Sequence, residues 1–205
     1  MGEPIISALI IAGYFSCWAL IHTALASIRV KKTAERLFGP ETCRYYRLFF
    51  VLFAIVSLIP LVILIFTLPD QQLYAAPSPW RWILHGIQAV VFVFMVRTIV
   101  QTEAMNFLGI EQIRSKERNI GSELQTDGLY RFVRHPMYFT SIIVIWTTPI
   151  MTLHTATLFA CMTIYFYLGS IHEEMLLVRQ FGEKYVSYKK KVPRILPGPR
   201  SFTSR

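Results

Sequence analysis

The sequence predicts an all-α integral membrane protein with about five transmembrane helices. Three observations carry that expectation. Only 16% of the 205 residues are charged and 54% are hydrophobic, with a mean hydropathy of +0.44, whereas a soluble domain has about 25% charged residues. Apolar runs approach the length of about 20 residues that a bilayer demands. Basic residues collect in alternate gaps between those runs, as loops facing a cytoplasmic leaflet do. The last two spans are expected to form a short hairpin, followed by a cytoplasmic amphipathic helix. The net charge of +9 does not point to nucleic acid, because no basic face with aromatic platforms appears outside those loops.

Residues 5–27 form the first apolar run. It has Glu3 but no basic stretch before it, so it reads as a retained span rather than a secretory signal. The polar, basic segment 29–47 follows, with a helix stop at Phe38-Gly39-Pro40. Tyr46 to Leu68 is a second span, kinked at Pro60. A loop at 69–79 leads to Trp80 and Trp82, interfacial anchors of a third span that ends near Val100 or Leu108. Residues 110–128 are polar. Two shorter apolar runs, 138–153 and 154–169, meet at the uncharged Met151-Thr152-Leu153-His154, where a tight turn is expected. His172 to Lys191 reads as an amphipathic helix ended by Pro193 and Pro197.

Charge sets the orientation. Segment 29–47 carries six Lys/Arg, 69–81 one, 110–136 five, the join near Leu153 none, and 172–205 eight. Five spans, with the N-terminus outside and the C-terminus in the cytoplasm, satisfy every loop. A bacterial inner membrane fits that arrangement. Cys17, Cys43 and Cys161 form neither a disulfide framework nor a zinc spacing, and no metal is expected. One domain covers 1–205. Within it, 1–109 forms scaffold and acceptor-pocket helices, 110–197 a cofactor-binding part, and 198–205 a tail.

Two charged stretches stand out. In Arg134-His135-Pro136-Met137-Tyr138, Pro136 suits the first position of a helix. The free N–H groups and positive dipole end of that helix then point toward His135, and Arg134 adds a planar cation. Alone, such a motif fits a set of interface anchors. The second stretch is Glu173-Glu174, just beyond an apolar run, where acids are costly unless paired. Neighbouring helix positions lie about 100° apart, so the two acids take different roles. One can face inward to an ammonium or a ribose diol, while the other caps the helix or pairs with a loop arginine. Together the stretches suit a ligand with both a carboxylate and an amine. S-adenosylmethionine is such a ligand, with Tyr185, Tyr188 and the Val192-Pro193 turn available to cover an adenine.

The segment LQTDGLYRFVRHPMY (Leu124 to Tyr138), then a hairpin, then EEMLLVRQFGEKYVSYKKKVPRILP (Glu173 to Pro197), resembles the isoprenylcysteine carboxyl methyltransferase superfamily of membrane enzymes, which includes phospholipid N-methyltransferases. The resemblance implies methyl transfer from S-adenosylmethionine. It carries cofactor roles onto Arg134, His135, Tyr138, Glu173 and Glu174, and onto Gly128, Tyr130, Tyr188, Val192 and Pro193. Relatives often have glycine two residues after the tyrosine, where this chain has Thr140 and then Ser141. Upstream, HTALAS (His22 to Ser27), RYYRL (Arg44 to Leu48), NFLGIEQ (Asn106 to Gln112) and WTTPIMTLH (Trp146 to His154) look similar to the methanethiol S-methyltransferase and NnrU-like branch. That favours a small thiol or another compact apolar nucleophile over a prenylated protein. The alternatives are isoprenylcysteine carboxyl O-methylation and phospholipid N-methylation. Outside the class stand an NADPH-dependent membrane reductase and a non-enzymatic membrane protein. His22, inside the first span, is the candidate base for a thiol. Arg47, Arg97 and Asn106 are candidate pocket residues.

Overall fold

The computed structural model describes residues 2–39, 42–101 and 124–198, without the side chains of 42–44, 47 and 101. Helices dominate: α1 (Gly2–Ala26), α2 (Ile28–Phe38), α3 (Thr42–Val56), α4 (Ile59–Thr67), α5 (Trp80–Gln101), α6 (Pro136–Trp146), α7 (Leu153–Phe181) and α8 (Glu183–Lys191). Two short strands, β1 (Gln72–Ala75) and β2 (Ile150–Thr152), pair as a small sheet. Among the described residues, three segments are long and apolar enough to cross a membrane: Gly2–Ala26, Leu48–Thr67 and Trp80–Val100. Helix α6 is apolar but shorter.

The chain folds as two compact units. One holds α1 to α4, most of β1 and the first turns of α7. Its core is the α1 face made by Ala8, Ile11 and Phe15, with Leu61 of α4 also buried. The helix break that Pro60 predicts lies at Ser57-Leu58, between α3 and α4. A proline cannot donate to the carbonyl one turn back. Polar side chains of α1 fasten the break: Tyr14 donates to the Ser57 carbonyl at 2.7 Å and Trp18 Nε1 to Ser57 Oγ at 2.9 Å. Helix α2 starts at the cap Ser27, whose Oγ accepts from Val30 N, and stops where Gly39 takes φ +86°. That is a left-handed conformation that glycine adopts at little cost.

The expected tight turn at Met151 to His154 takes another form. Leu153 N donates to the Gln71 carbonyl at 2.8 Å, and Thr152 and Thr155 exchange hydrogen bonds across the first turn of α7. A strand end and a helix cap thus occupy the join. Asp70 Oδ1 also accepts from His154 N at 3.1 Å, capping α7 from outside its own chain segment.

The other unit holds α5, the segment 124–150, the rest of α7 and α8. Helix α5 packs along α6, with Gln88 Nε2 donating to the Val144 carbonyl at 3.0 Å. The expected amphipathic helix 172–191 is two pieces. Helix α7 runs unbroken to Phe181, Gly182 turns at φ +56°, and α8 follows.

Candidate active site

The site is assembled within the second unit from three pieces of chain. The first is the segment before α6. Gly128 takes φ +63° and opens a 3₁₀ turn, Gly128–Arg131, which bends the chain back toward α6. The second is the segment that follows α8. Arg134 N donates to the Pro193 carbonyl at 2.9 Å and His135 N to the Arg194 carbonyl at 3.0 Å. Val192-Pro193-Arg194 therefore lies directly against the Arg134-His135 backbone. The third is the end of α7, which brings Glu173 and Glu174.

The two acids face different ways, as adjacent helix positions must. Glu174 is 2% exposed and Glu173 48%. Arg134 Nε and Nη2 both donate to Glu174 Oε1, at 2.9 and 2.6 Å. Arg134 Nη1 donates to the carbonyls of Lys189 and Val192. Its guanidinium is thus turned onto protein acceptors. Arg194 adds two bonds of 3.1 Å to Glu174, and Lys189 Nζ lies 3.1 Å from Oε2. Burial raises the Glu174 carboxyl, but the bonds from Arg194, Arg134 and Lys189 outweigh it and hold it down at about 2.

The sign of that shift gives a first prediction. A carboxyl lowered by folding contributes stability that is fully present above its unfolded value and is lost as pH falls through the folded one. The unfolding temperature should therefore drop as pH is taken from about 4.5 toward 2. A Glu174→Gln variant, less stable at neutral pH, should show a flatter profile over that window. Parallel profiles in a pH series of thermal melts would rule out Glu174 as a source of the acid sensitivity.

On the other side, His135 caps α6 with Pro136 next in line. Its ring is 4% exposed, with Nδ1 3.3 Å from Glu173 Oε2. Nε2 lies 3.4 Å from Glu174 Oε1 but makes no hydrogen bond. Tyr138 donates to Glu173 Oε2 at 3.2 Å. The His135 ring stacks on Tyr138, and Tyr138 stacks on Phe166 of α7 (centroids 5.4 and 5.3 Å). Tyr188 donates to the Tyr130 carbonyl at 2.6 Å, tying α8 to the 3₁₀ turn. Burial, then the charge of Glu173, pushes the Tyr130 hydroxyl up to about 12. Among the described residues, no lysine or arginine pairs with Glu173.

The structure thus gathers Gly128, Tyr130, Arg134, His135, Tyr138, Glu173, Glu174, Tyr188, Val192 and Pro193 into one unit. His22 belongs to the other unit, between Trp18 (centroid 4.7 Å) and Phe50 (4.4 Å). Arg97 is exposed on α5. Asn106 and the Arg47 side chain lie outside the described residues. Lys189 and Phe166 were not singled out from sequence. Only the fold shows that they reach Glu174 and Tyr138, although the Lys189-Lys190-Lys191 run marks a cation source.

Comparison with known proteins shows which family the site region is similar to. Residues 86–184, which hold both charged stretches, match the model of the family described as phospholipid methyltransferase. The chain is similar to that methyltransferase family over just under half of its length. Several relatives of this phospholipid methyltransferase-like chain carry the name methanethiol S-methyltransferase. One from Bradyrhizobium diazoefficiens is 40% identical over 38% of this chain and 27% of its own length. One from Crocosphaera subtropica is 27% identical over 95% of this chain and 77% of its own. A protein-S-isoprenylcysteine O-methyltransferase of Dictyostelium discoideum is 29% identical over 61% of this chain and 54% of its own. The stretch aligned with the Bradyrhizobium relative spans less than a third of that protein. No solved structure matches the chain significantly.

Proposed function

We propose that this chain transfers a methyl group from S-adenosylmethionine to a small thiol, or to another compact lipophilic acceptor, at the membrane. The observation that carries the reading is Glu173. Its carboxylate is half exposed, held by His135 and Tyr138, and matched by no arginine or lysine among the described residues. It is an anion without a fixed counter-charge, oriented by two side chains, which suits an ammonium or a ribose diol. His135 Nε2, buried and without a hydrogen bond, lies toward Glu174, so the ring sits between the two acids. These residues fit the cofactor.

When bound, S-adenosylmethionine supplies an already activated methyl group. The protein's work is then to orient and to exclude water. Glu173, His135 and Tyr138 hold the amino-acid or ribose part. Tyr130, Tyr188, Val192 and Pro193 cover the base. Gly128 permits the turn that brings Tyr130 into place. Arg134 and Glu174 form the brace behind them. The domain plan follows: 110–197 carries the cofactor and 1–109 the acceptor pocket, with Arg47, Arg97 and Asn106 as pocket residues. The protein lies in a bacterial inner membrane in five spans, counting α6 and the first part of α7, with N-terminus outside and C-terminus in the cytoplasm.

A thiol must lose its proton before it attacks, and His22 is the group we assign to that task. Exchange of His22 for phenylalanine keeps a ring between Trp18 and Phe50 while removing the base. Methylation of methanethiol should fall by about 10²-fold or more, with binding of S-adenosylmethionine unchanged. Full turnover in the variant would remove His22 from the mechanism. The deciding experiment for the function is methyl-labelled S-adenosylmethionine with membranes and a panel of methanethiol, longer thiols, prenylcysteine and phosphatidylethanolamine. Label in volatile thioether is the expected result. Label in lipid alone, or none with any acceptor, would overturn the proposal.

A further inference from the structure

We propose that the cleft between α7 and the end of α8 binds the headgroup of an anionic glycerophospholipid, with an acyl chain laid along α7. The inference is independent of the methyl-transfer reading, because the cleft lies on the Glu174 side of α7, away from Glu173.

The cleft has a volume of about 320 Å³. Its polar lining is Arg179, Lys189 and Arg194 with the carboxylate of Glu174. Glu174 is already shared among Arg134, Lys189 and Arg194. Three cations on one carboxylate leave positive charge over, and Arg179 adds a fourth. Arg179 is exposed and makes no ion pair among the described residues. Excess charge beside a low-dielectric surface attracts a counter-anion, and basic pockets at a membrane face take phospholipid headgroups in this way.

The apolar lining says which kind of anion. Ile171, Met175 and Val178 floor the cleft, and their spacing sets them on one face of α7. That face continues upstream through Ile164, Tyr167 and Leu168, all of them exposed like Met175. An apolar stripe therefore runs along the helix and ends in the cationic cleft. Arg194 marks the seam, its guanidinium 5.6 Å over the Tyr167 ring. A phosphodiester provides one negative charge and several acceptor oxygens for the cleft, and its acyl chain covers the stripe. A free anion would fill only the first.

The test uses the full chain in detergent micelles, titrated with dioleoylphosphatidylglycerol, dioleoylphosphatidylcholine or glycerol 3-phosphate and read by native mass spectrometry. Phosphatidylglycerol should bind several-fold more tightly than phosphatidylcholine, and glycerol 3-phosphate should not compete. Arg179→Gln should weaken phosphatidylglycerol about fivefold, the equivalent of about 1 kcal/mol per basic residue at an anionic surface. Met175→Asp sets a carboxylate at the same mouth and should weaken phosphatidylglycerol more than phosphatidylcholine. Either variant serves if the other melts below the native protein. Equal binding of the two lipids, competition by glycerol 3-phosphate at lipid concentrations, or an unchanged preference in a folded variant would each overturn the proposal.

Discussion

Replacing Arg134 with methionine should destabilise the protein by about 3–5 kcal/mol, the cost of removing one partner from a buried ion pair. The reason lies in how much the one guanidinium holds. It meets Glu174 through Nε and Nη2 and the carbonyls of Lys189 and Val192 through Nη1. Losing it orphans part of a 2%-exposed carboxylate and two carbonyls at the end of α8, and unsatisfied buried acceptors are expensive. Arg134→Lys should recover only a fraction, because an ammonium cannot span a carboxylate and two carbonyls as the planar fork does. Thermal unfolding in detergent reads both variants. A methionine variant as stable as the native chain would mean that Lys189 and Arg194 hold Glu174 without Arg134. Any loss of cofactor affinity in Arg134→Met should scale with the loss of fold, since this side chain braces the site.

Much of the fold was legible because local chemistry decides it. Gly39 stops α2, Pro60 opens a break before α4 and Pro136 starts α6, each through a backbone property of one residue. The end of α7 was not legible in the same way. His172, Glu173 and Glu174 read as the start of a new helix because polarity changes there. Polarity marks the edge of an apolar environment, not the end of a helix. The backbone continues through them to Gly182, where a positive φ interrupts it. The join at Met151 to His154 was missed for a related reason. Its geometry depends on Gln71 and Asp70, some eighty residues upstream, and no local pattern carries that distance. The same Asp70 also holds His154. It is fully buried, with Nδ1 3.4 Å from Asp70 Oδ2 and 3.4 Å from the Ile65 carbonyl.

The site itself was legible as residue types but not as a division of labour. From sequence, one acid faces a ligand and the other caps the helix or pairs with a loop arginine, with nothing to say which is which. In the fold Arg134 turns to Glu174, 40 positions away, while His135 and Tyr138 turn to Glu173. Only the helical phase of Glu173-Glu174 hinted at this. It says that the two differ, but not which faces inward.

That division gives the second large effect. Glu173→Gln should weaken binding of S-adenosylmethionine by about 10- to 100-fold, the loss of a hydrogen bond to a charged group worth roughly 1.5–3 kcal/mol. The unfolding temperature should stay near that of the native chain, because Glu173 is half exposed and outside the Arg134 brace. The glutamine keeps the shape and still accepts from Tyr138, so the change isolates the charge. Isothermal titration on detergent-purified protein measures the affinity, with Glu183→Gln, an exposed acid on α8, as the control for a general loss of negative charge. If Glu173→Gln and Glu183→Gln bind alike, Glu173 does not hold the cofactor. If Glu173→Gln instead unfolds like Arg134→Met, the two acids belong to one structural network and the separation into brace and binding face fails. The pair of variants is therefore read together: one should lose the fold, the other the ligand.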